Sequence, residues 1–318
     1  MSQNKEDQSD PNQKIQTESL TEEKEKLNLR AIKISDLELE SEISQRMTTC
    51  VYRAKHIQTN KIFALKKIGY MDTIQQISNV VNEYHQLRDL RHPNIIPIYA
   101  SFYSKGFLYI LSELIAGCTL SDILQVSPQI PENILGIFAY QFLQGLKFLK
   151  SNHKFHKNLK PSNIFVTDKS EVKIDHPCLF SKSLNLFQSI PGPLCYLAPE
   201  VLREESYCFE SDIWSFGLIV FQCVFGQFPL IDLNNPKVSN IWKIIANRST
   251  DVDVKLPPFY SSELVDFISG CLKMDPKERA NVDDLLNHEW IKRVNNEENQ
   301  KEFIKWNESL QAQISQAK

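Results

Sequence analysis

The chain has 318 residues, 42% of them hydrophobic, which is enough for a sizeable core in one large domain or two lobes. Its 36 basic and 39 acidic residues give a formal net charge of −3, which argues against nucleic acid or an anionic membrane as the main partner. Seven widely spaced cysteines without a CxxC pair argue against a disulfide scaffold or a zinc site. They favour reduced thiols, so we expect a cytoplasmic or nuclear protein.

The first 115 residues divide into a polar tail and a strand-rich region. Residues 1–30 contain twelve charged residues and no aromatic residue, a composition typical of a disordered tail. From about 35 to 115, short apolar runs predict strands, and residues 73–90 predict a helix. The predicted strand residues include Val51, residues 63–65, Ile95, Ile96 and residues 108–111.

After residue 120 the spacing of apolar residues becomes helical. Pro131 suits a first helical turn, and the apolar residues that follow recur at steps of three and four, namely Leu135, Phe138, Phe142, Leu146 and Leu149. Residues 213–230 are apolar but interrupted by polar residues and a proline, which favours a buried helix over a membrane span. Ser261 is a candidate cap for a helix with its apolar stripe at 264–271, and Asn281 for a helix over 282–291.

Residues 156–163, His-Lys-Asn-Leu-Lys-Pro-Ser-Asn, resemble the catalytic loop H-R-D-L-x-x-x-N of protein kinases. Other kinase motifs occur in the same chain order. They are Ala64-Leu65-Lys66 for the strand with the phosphate-binding lysine, Glu83 ahead of His92-Pro93-Asn94, Ala198-Pro199-Glu200 for A-P-E, Asp212-Ile213-Trp214 for the anchor helix, and Arg279. The chain is therefore similar to a eukaryotic protein kinase. Lys160 and Pro161 resemble the serine/threonine type, and residues 130–149 and 210–230 resemble MAP kinase kinases.

This resemblance implies an α+β fold, the bilobal protein-kinase fold, with a kinase domain at 35–291. Its small β-rich N-lobe would span 35–114 and its larger helical C-lobe 118–291, with a ligand cleft between them. A helical extension at 292–318 would pack on the large lobe or bind a partner, with Phe303, Trp306 and Leu310 on its apolar face.

The resemblance also implies roles for individual residues. Lys66 would pair with Glu83, and His156, Glu200, Asp212 and Arg279 would be structural. Lys160 and Asn163 would have catalytic and nucleotide- or metal-binding roles, or purely structural ones. The other implied nucleotide-binding positions are Val51, Ala64 and Phe165 around the adenine, Ser112 as gatekeeper, and Glu113 to Ile115 as hinge.

Three departures from the kinase pattern concern the phosphate chemistry. The glycines of the phosphate-binding loop would fall at Ser44, Arg46 and Thr49, none of which allows the backbone approach that glycine allows. Asn158 replaces the aspartate base, and an amide cannot take the substrate proton as a carboxylate does. Pro193 replaces a threonine and has no hydroxyl to offer.

The metal-binding aspartate is also in question. Counting thirteen residues from Asn163 places His176 in its position, whereas a one-residue deletion in the preceding hairpin would place Asp175 there. We favour His176, because the spacing within the strand resists a slip that would reverse every side chain. Imidazole is a poor ligand for Mg²⁺, which prefers oxygen, so this register argues against Mg²⁺.

Two functions are consistent with the sequence. The first is a pseudokinase that regulates or scaffolds a protein partner or substrate kinase in a phosphorylation cascade and holds ATP, if at all, without metal. The second is an active, unconventional serine/threonine or dual-specificity kinase. Lys24, Lys26, Leu27 and Leu29 resemble a MAP-kinase docking motif, with a plain lead-in to the first strand as the alternative.

Overall fold

The structure is a computed structural model that describes residues 32–45, 49–69, 81–82, 84–175, 193–230 and 241–317. The chain divides into two compact units. The first comprises the described residues up to Leu90 together with Pro97–Leu114, and the second comprises Arg91–Ile96 and the described residues from Ile115 onward.

The first unit is built on an antiparallel sheet. In the part of the chain that the structure describes, its strands lie in the order β1-β2-β3-β5-β4. They are β1 (Leu37–Gln45), β2 (Thr49–His56), β3 (Ile62–Ile68), β4 (Ile98–Ser104) and β5 (Phe107–Glu113). Burial alternates along residues 62–66 of β3, as expected when one sheet face packs on a core, whereas residues 108–112 of β5 are all buried. Ala54, Leu65 and Leu111 are fully buried in that core.

The second unit is mostly helical. Its described helices are α1 (Leu120–Val126), α2 (Glu132–Ser151), α3 (Pro199–Leu202), α4 (Phe209–Phe225), α5 (Ile241–Ala246), α6 (Ser262–Cys271), α7 (Val282–Leu286), α8 (Glu289–Val294) and α9 (Glu297–Ala317). A small antiparallel sheet joins β6 (Gly117–Thr119), β7 (Ile164–Thr167) and β8 (Val172–Ile174) in that order.

Helix α4 is the centre of the second unit. Phe216 stacks on Phe142 of α2 with ring centroids 4.8 Å apart. Gly217 lets α6 approach closely, because a Cβ at this position would lie only 2.5 Å from the Cβ of Cys271. Gly226 ends the helix in the left-handed conformation at φ 83°, which glycine adopts without steric cost. The predicted buried helix is therefore present, but it begins and ends earlier than residues 213–230.

Some local predictions are confirmed and others need correction. Ser261 and Asn281 cap α6 and α7 through their side-chain oxygens. Pro131 is the residue before the first turn of α2 rather than part of it. The single helix predicted over 282–291 is wrong, because the ring of His288 accepts a hydrogen bond from the N–H of Trp290 and starts α8 as a separate helix.

Two predictions in the first hundred residues are confirmed only in part. Ile95 forms isolated bridges rather than a strand, although Ile95 and Ile96 are both buried. Of the helix predicted over 73–90, the described residues are helical at 81–82 and 84–87 and form a turn at 88–89.

Helix α9 packs against α1, α2 and β6 of its own unit. Phe303 and Leu310 are buried and Trp306 is half-buried, so the predicted apolar face is confirmed, and in this structure it packs within the chain. Among the described residues, no helix is long and apolar enough to cross a membrane.

Glu132, at the start of α2, links three helices. Its carboxylate accepts hydrogen bonds from the N–H and hydroxyl of Ser261, the indole N–H of Trp290 and the guanidinium of Arg293. Burial raises the pKa of Glu132, but the hydrogen bonds from Ser261 and Arg293 and the charge of Arg293 outweigh it, so the net pKa is lowered. The ionised carboxylate of Glu132 therefore stabilises the folded state.

We expect Glu132→Gln to lower the free energy of unfolding by about 2 kcal/mol, because the amide removes the charge and turns an N–H₂ group toward donors. Glu289→Gln is the matched control, since the Glu289–Lys292 pair is exposed and should contribute less than about 0.5 kcal/mol. Urea denaturation of both variants at pH 7 measures the difference. Equal losses in the two variants would show that Glu132 has no special role.

Candidate functional site

The loop that resembles the kinase catalytic loop is held by the buried carboxylate of Asp212 on α4. Oδ2 accepts the backbone N–H of His156 at 2.7 Å, and Oδ1 accepts the N–H of Lys157 at 2.9 Å. Lys157 lies in the left-handed region at φ 65°, which is unfavourable for a residue with a side chain. The two bonds to Asp212 stabilise this conformation and fix the start of the loop.

His156 is fully buried, and its ring links the loop to the end of β8. Nδ1 accepts the N–H of Asn158 at 3.3 Å, and Nε2 lies 3.0 Å from the carbonyl oxygen of Asp175. A carbonyl only accepts, so the ring proton must be on Nε2, and this arrangement is that of a neutral histidine. These two contacts fix the position of the His156 ring between the loop and β8.

Asn158 and Asn163 are brought together at the other end of the loop. The side-chain Nδ2 of Asn163 donates to the backbone oxygen of Asn158 at 2.8 Å. Lys160 caps the intervening 3-10 turn, because its carbonyl accepts the N–H of Asn163 at 2.9 Å. This bond orients the amide of Asn163, and the amide oxygen is the atom of this side chain that could accept or ligate.

Asp175 continues the ladder between β7 and β8. Its N–H donates to the carbonyl of Asn163 at 2.9 Å, one step beyond the Ile164–Ile174 pair. Side chains alternate along a strand, so Asp175 lies on the same face as Lys173, opposite the face of buried Ile174. Lys173 pairs with Phe165, so this face is also the one with the predicted adenine-pocket residue.

The first unit places four predicted nucleotide-binding residues on one face of its sheet. Lys66 pairs across the strands with Val51, and Ala64 pairs with Ser112. Directly opposed residues share a face, and residues two apart on β3 share it too. Val51, Ala64, Lys66 and Ser112 therefore lie on the face opposite the buried Leu65.

Two of the three positions expected for the phosphate-binding glycines lie in strands, next to a register shift between Glu42 and Ser44. Ser44 on β1 pairs with Val51, and Thr49 begins β2. Neither residue has a positive φ. Each has a side chain at a position where the kinase pattern has glycine, so the loss of the phosphate-binding loop stays a prediction.

The predicted hinge positions, Glu113 to Ile115, span the point in the chain where the first unit ends and the second resumes. Glu113 ends β5 with its N–H donated to the carbonyl of Pro97 at 3.2 Å. Ile115 is half-buried and begins the second unit's second segment. One residue further on, the carbonyl of Ala116 accepts the N–H of Asp168, which ties this connection to the β7–β8 hairpin.

Glu200 and Arg279 form the buried ion pair that the resemblance implies. Two guanidinium nitrogens reach the two carboxylate oxygens at 2.8 and 3.1 Å, and both side chains are at most 2% exposed. Burial raises the pKa of Glu200, but the hydrogen bonds and charge of Arg279 outweigh it and lower the net pKa. Sequence reasoning missed Ser211, whose hydroxyl also donates to Glu200.

Tyr207 is a second residue that the sequence did not reveal. Its hydroxyl donates to Oδ1 of Asp212 at 2.5 Å, and burial raises the pKa of the phenol well above its usual value. Burial also raises the pKa of Asp212 to about 6, although three hydrogen bonds oppose the shift. The only signal in the sequence was the position of Tyr207 five residues before Asp212, which does not specify a contact.

Several predicted residues lie outside the described part of the chain. They are Glu83, Arg46, His176 and the docking-motif residues Lys24, Lys26, Leu27 and Leu29. The Lys66–Glu83 ion pair, the choice between His176 and Asp175, and the polar tail at 1–30 therefore stay predictions.

The chain is similar to known protein kinases. The protein kinase domain family matches residues 20–291. A dual specificity mitogen-activated protein kinase kinase of Drosophila melanogaster is 32% identical over 83% of this chain and 72% of its own length. Mitogen-activated protein kinase kinase 1c of Physcomitrium patens is 30% identical over 91% and 84% of the two chains, and mitogen-activated protein kinase kinase 2 of Arabidopsis thaliana is 30% identical over 82% and 73%.

The raised pKa of Asp212 predicts a pH dependence of stability. A carboxyl whose pKa rises from 3.8 to about 6 on folding stabilises the fold fully below 3.8, and this contribution is lost as the pH rises through 6. Between pH 5 and 7.5 the wild type should therefore lose about 1 kcal/mol that Asp212→Asn does not lose.

Urea denaturation at both pH values measures this difference, and only the pH dependence is compared because the amide also weakens the loop. Asp253→Asn, at an exposed position, should keep the wild-type pH dependence. An Asp212→Asn variant with the wild-type pH dependence would contradict the assignment to Asp212.

Proposed function

The chain belongs to the eukaryotic protein kinase superfamily, and from this premise we propose that it is a pseudokinase that regulates or scaffolds a protein in a phosphorylation cascade. The observation that carries the proposal is Asn158, an amide at the base position of a loop that is otherwise fully anchored. Asp212, His156 and Asn163 each make the contact that holds this loop in shape. The loss is therefore chemical and does not come from a collapsed loop.

The missing base alone would slow phosphate transfer severely. A kinase base accepts the proton of the substrate hydroxyl, and the neutral amide of Asn158 has no basic lone pair for it. General-base catalysis typically contributes about 10²–10⁴ in rate. Kinases typically turn over at about 1–100 s⁻¹, so this one replacement brings the expected rate to the level of a very slow enzyme.

The residues present fit the adenine end of a nucleotide better than its metal-bound phosphates. Val51, Ala64 and Ser112 share a sheet face with Lys66, whose charge suits a phosphate. In the described loop, the amide oxygen of Asn163 is the atom best suited to bind Mg²⁺. We propose ATP as a ligand that needs no Mg²⁺, because the favoured register puts His176 at the metal position and Mg²⁺ prefers oxygen ligands.

One observation favours the alternative of an active, unconventional kinase. The N–H of Asp175 is bonded to Asn163, and its side chain lies on the face of Phe165. A carboxylate there would give Mg²⁺ a second oxygen ligand beside Asn163. This alternative retains the losses at Asn158, Ser44 and Thr49, and for that reason it ranks second.

Relatives of the chain are mitogen-activated protein kinase kinases, which supports a partner in a cascade of that kind. We propose that the partner is another kinase of the cascade, in the cytosol or nucleus. We propose that such a partner binds the motif at Lys24, Lys26, Leu27 and Leu29.

Thermal unfolding of the full chain with ATP, with and without Mg²⁺, tests the ligand. At 100 times its Kd a ligand adds about 2.7 kcal/mol to stability, a readily measured shift. We expect a shift with ATP that Mg²⁺ does not increase and that Lys66→Met reduces. A shift that requires Mg²⁺ would support the alternative function and place Asp175 at the metal.

Phosphate transfer from labelled ATP to a generic protein substrate tests the activity. We expect no incorporation above background by the wild type, and none by Asn158→Asp, because Ser44, Thr49 and the metal position still depart from the kinase pattern. Incorporation by the wild type that Lys66→Met abolishes would overturn the pseudokinase proposal. Incorporation by Asn158→Asp alone would show that the base is the single missing element.

A further inference from the structure

Helix α9 begins at Glu297, beyond the residues that match the kinase family. Only Asn295 and Asn296 separate it from α8. It rests in a groove lined by α1, α2 and β6. The helix is therefore an addition to the kinase domain, attached through a short connection.

One face of α9 is apolar and the other is polar. Phe303, Leu310 and Ile314 are 2%, 3% and 4% exposed and belong to the core of the second unit. The outward face is formed mainly by charged and amide residues, among them Glu298, Lys301, Glu302, Lys305, Glu308, Gln313 and Gln316. A helix that contacts its unit through one face only can form a cooperative opening unit of its own.

Two amides on the inward face, Asn307 and the half-buried Gln311, fix the register of α9. Asn307 is fully buried, and its Nδ2 donates to the carbonyl of Thr167 at 2.8 Å and to the hydroxyl of Ser170 at 3.0 Å. Gln311 Nε2 donates to the carbonyl of Val166 at 3.2 Å, and its Oε1 accepts the thiol of Cys118 at 3.0 Å. A shift by one turn would leave these groups buried without partners.

These bonds attach α9 to the strands that hold a predicted nucleotide-binding residue. Cys118 and Val166 are a cross-strand pair, and the Cys118 thiol bonds to α9, so that face of the β6–β7 ladder meets the helix. Thr119 and Phe165 are the next pair and point the opposite way. Helix α9 therefore contacts the face of the β6–β7 ladder opposite the face that carries Phe165.

We propose that α9 is a detachable brace that fixes the β6 and β7 strands and, through them, Phe165. When α9 is seated, Val166 and Thr167 are bonded on both sides, by the neighbouring strands and by the helix. When α9 leaves, the strands lose Asn307, Gln311 and the apolar cover at the same time. The brace is a property of the second unit alone and stands whether or not nucleotide binds.

Hydrogen–deuterium exchange of the full chain tests the brace. In the wild type, amides of 297–317 should exchange together and at least 10-fold faster than those of α4, which shows that α9 opens without global unfolding. Gln311→Met keeps the length of the side chain and removes its amide. It should speed exchange in 297–317 and in β6–β7 by the same factor, at least 5-fold, and leave α4 unchanged.

Gln313→Ala, on the exposed face, is the matched control and should leave every segment unchanged. Faster exchange in 297–317 with unchanged β6–β7 would overturn the proposal, because the strands would not depend on the helix. Equally faster exchange in α4 would overturn it as well, because the effect would then be global destabilisation. No change in any segment would show that Gln311 does not hold the helix.

Discussion

The site depends on one buried carboxylate, that of Asp212. It accepts two backbone N–H groups of the loop at 156–157 and the phenol of Tyr207, so a single side chain on α4 sets where the loop starts. Burial works against its charge and raises the pKa of the carboxyl to about 6, which shows that the interaction has an energetic cost. The fold meets that cost by surrounding the carboxylate with three donors.

Asp212 anchors the loop through backbone N–H groups rather than through the side chains that differ from the kinase pattern. The bonds from Asp212 reach N–H groups, which are the same whatever side chain follows. Lys157 can therefore adopt the left-handed conformation at the position where kinases have arginine. In the same way, Asn158 can occupy the position where kinases have aspartate without a change in the shape of the loop. The shape of the loop and its chemistry are separable, because different atoms of the same residues determine them.

The Glu200–Arg279 pair is a second structural contact that does not involve the residues expected to handle phosphate. The Glu200–Arg279 pair is fully buried, bidentate and supported by Ser211, so removing either partner would leave an uncompensated charge. These contacts stabilise the domain independently of any reaction. The departures instead concern groups that would handle phosphate, at Ser44, Thr49 and Asn158. The buried Glu200–Arg279 pair together with Asn158 at the base position is the basis for our proposal that the chain binds rather than catalyses.

The parts of the structure that follow from local rules could be predicted from the sequence. The caps at Ser261 and Asn281 need only a side-chain oxygen ahead of an apolar stripe, and both predictions are confirmed. The break at His288 escaped prediction because the residue uses its ring as a cap, which propensity rules assign mainly to Ser, Thr, Asp and Asn. Tyr207 and Ser211 escaped it because their roles depend on buried carboxylates that only the folded chain brings within reach.

Helix α9 shows how far a pattern can predict and where it stops. The spacing of Phe303, Trp306 and Leu310 predicted an amphipathic helix, but the same pattern suits a helix that binds a partner and one that packs on its own domain. What distinguishes the two is the pair of amides inside the apolar face. Asn307 and Gln311 would be costly to bury against a generic apolar surface, and each bonds to a specific backbone carbonyl of β7. Polar residues at positions where the helical period calls for apolar ones therefore indicate that the helix has a specific groove on this chain.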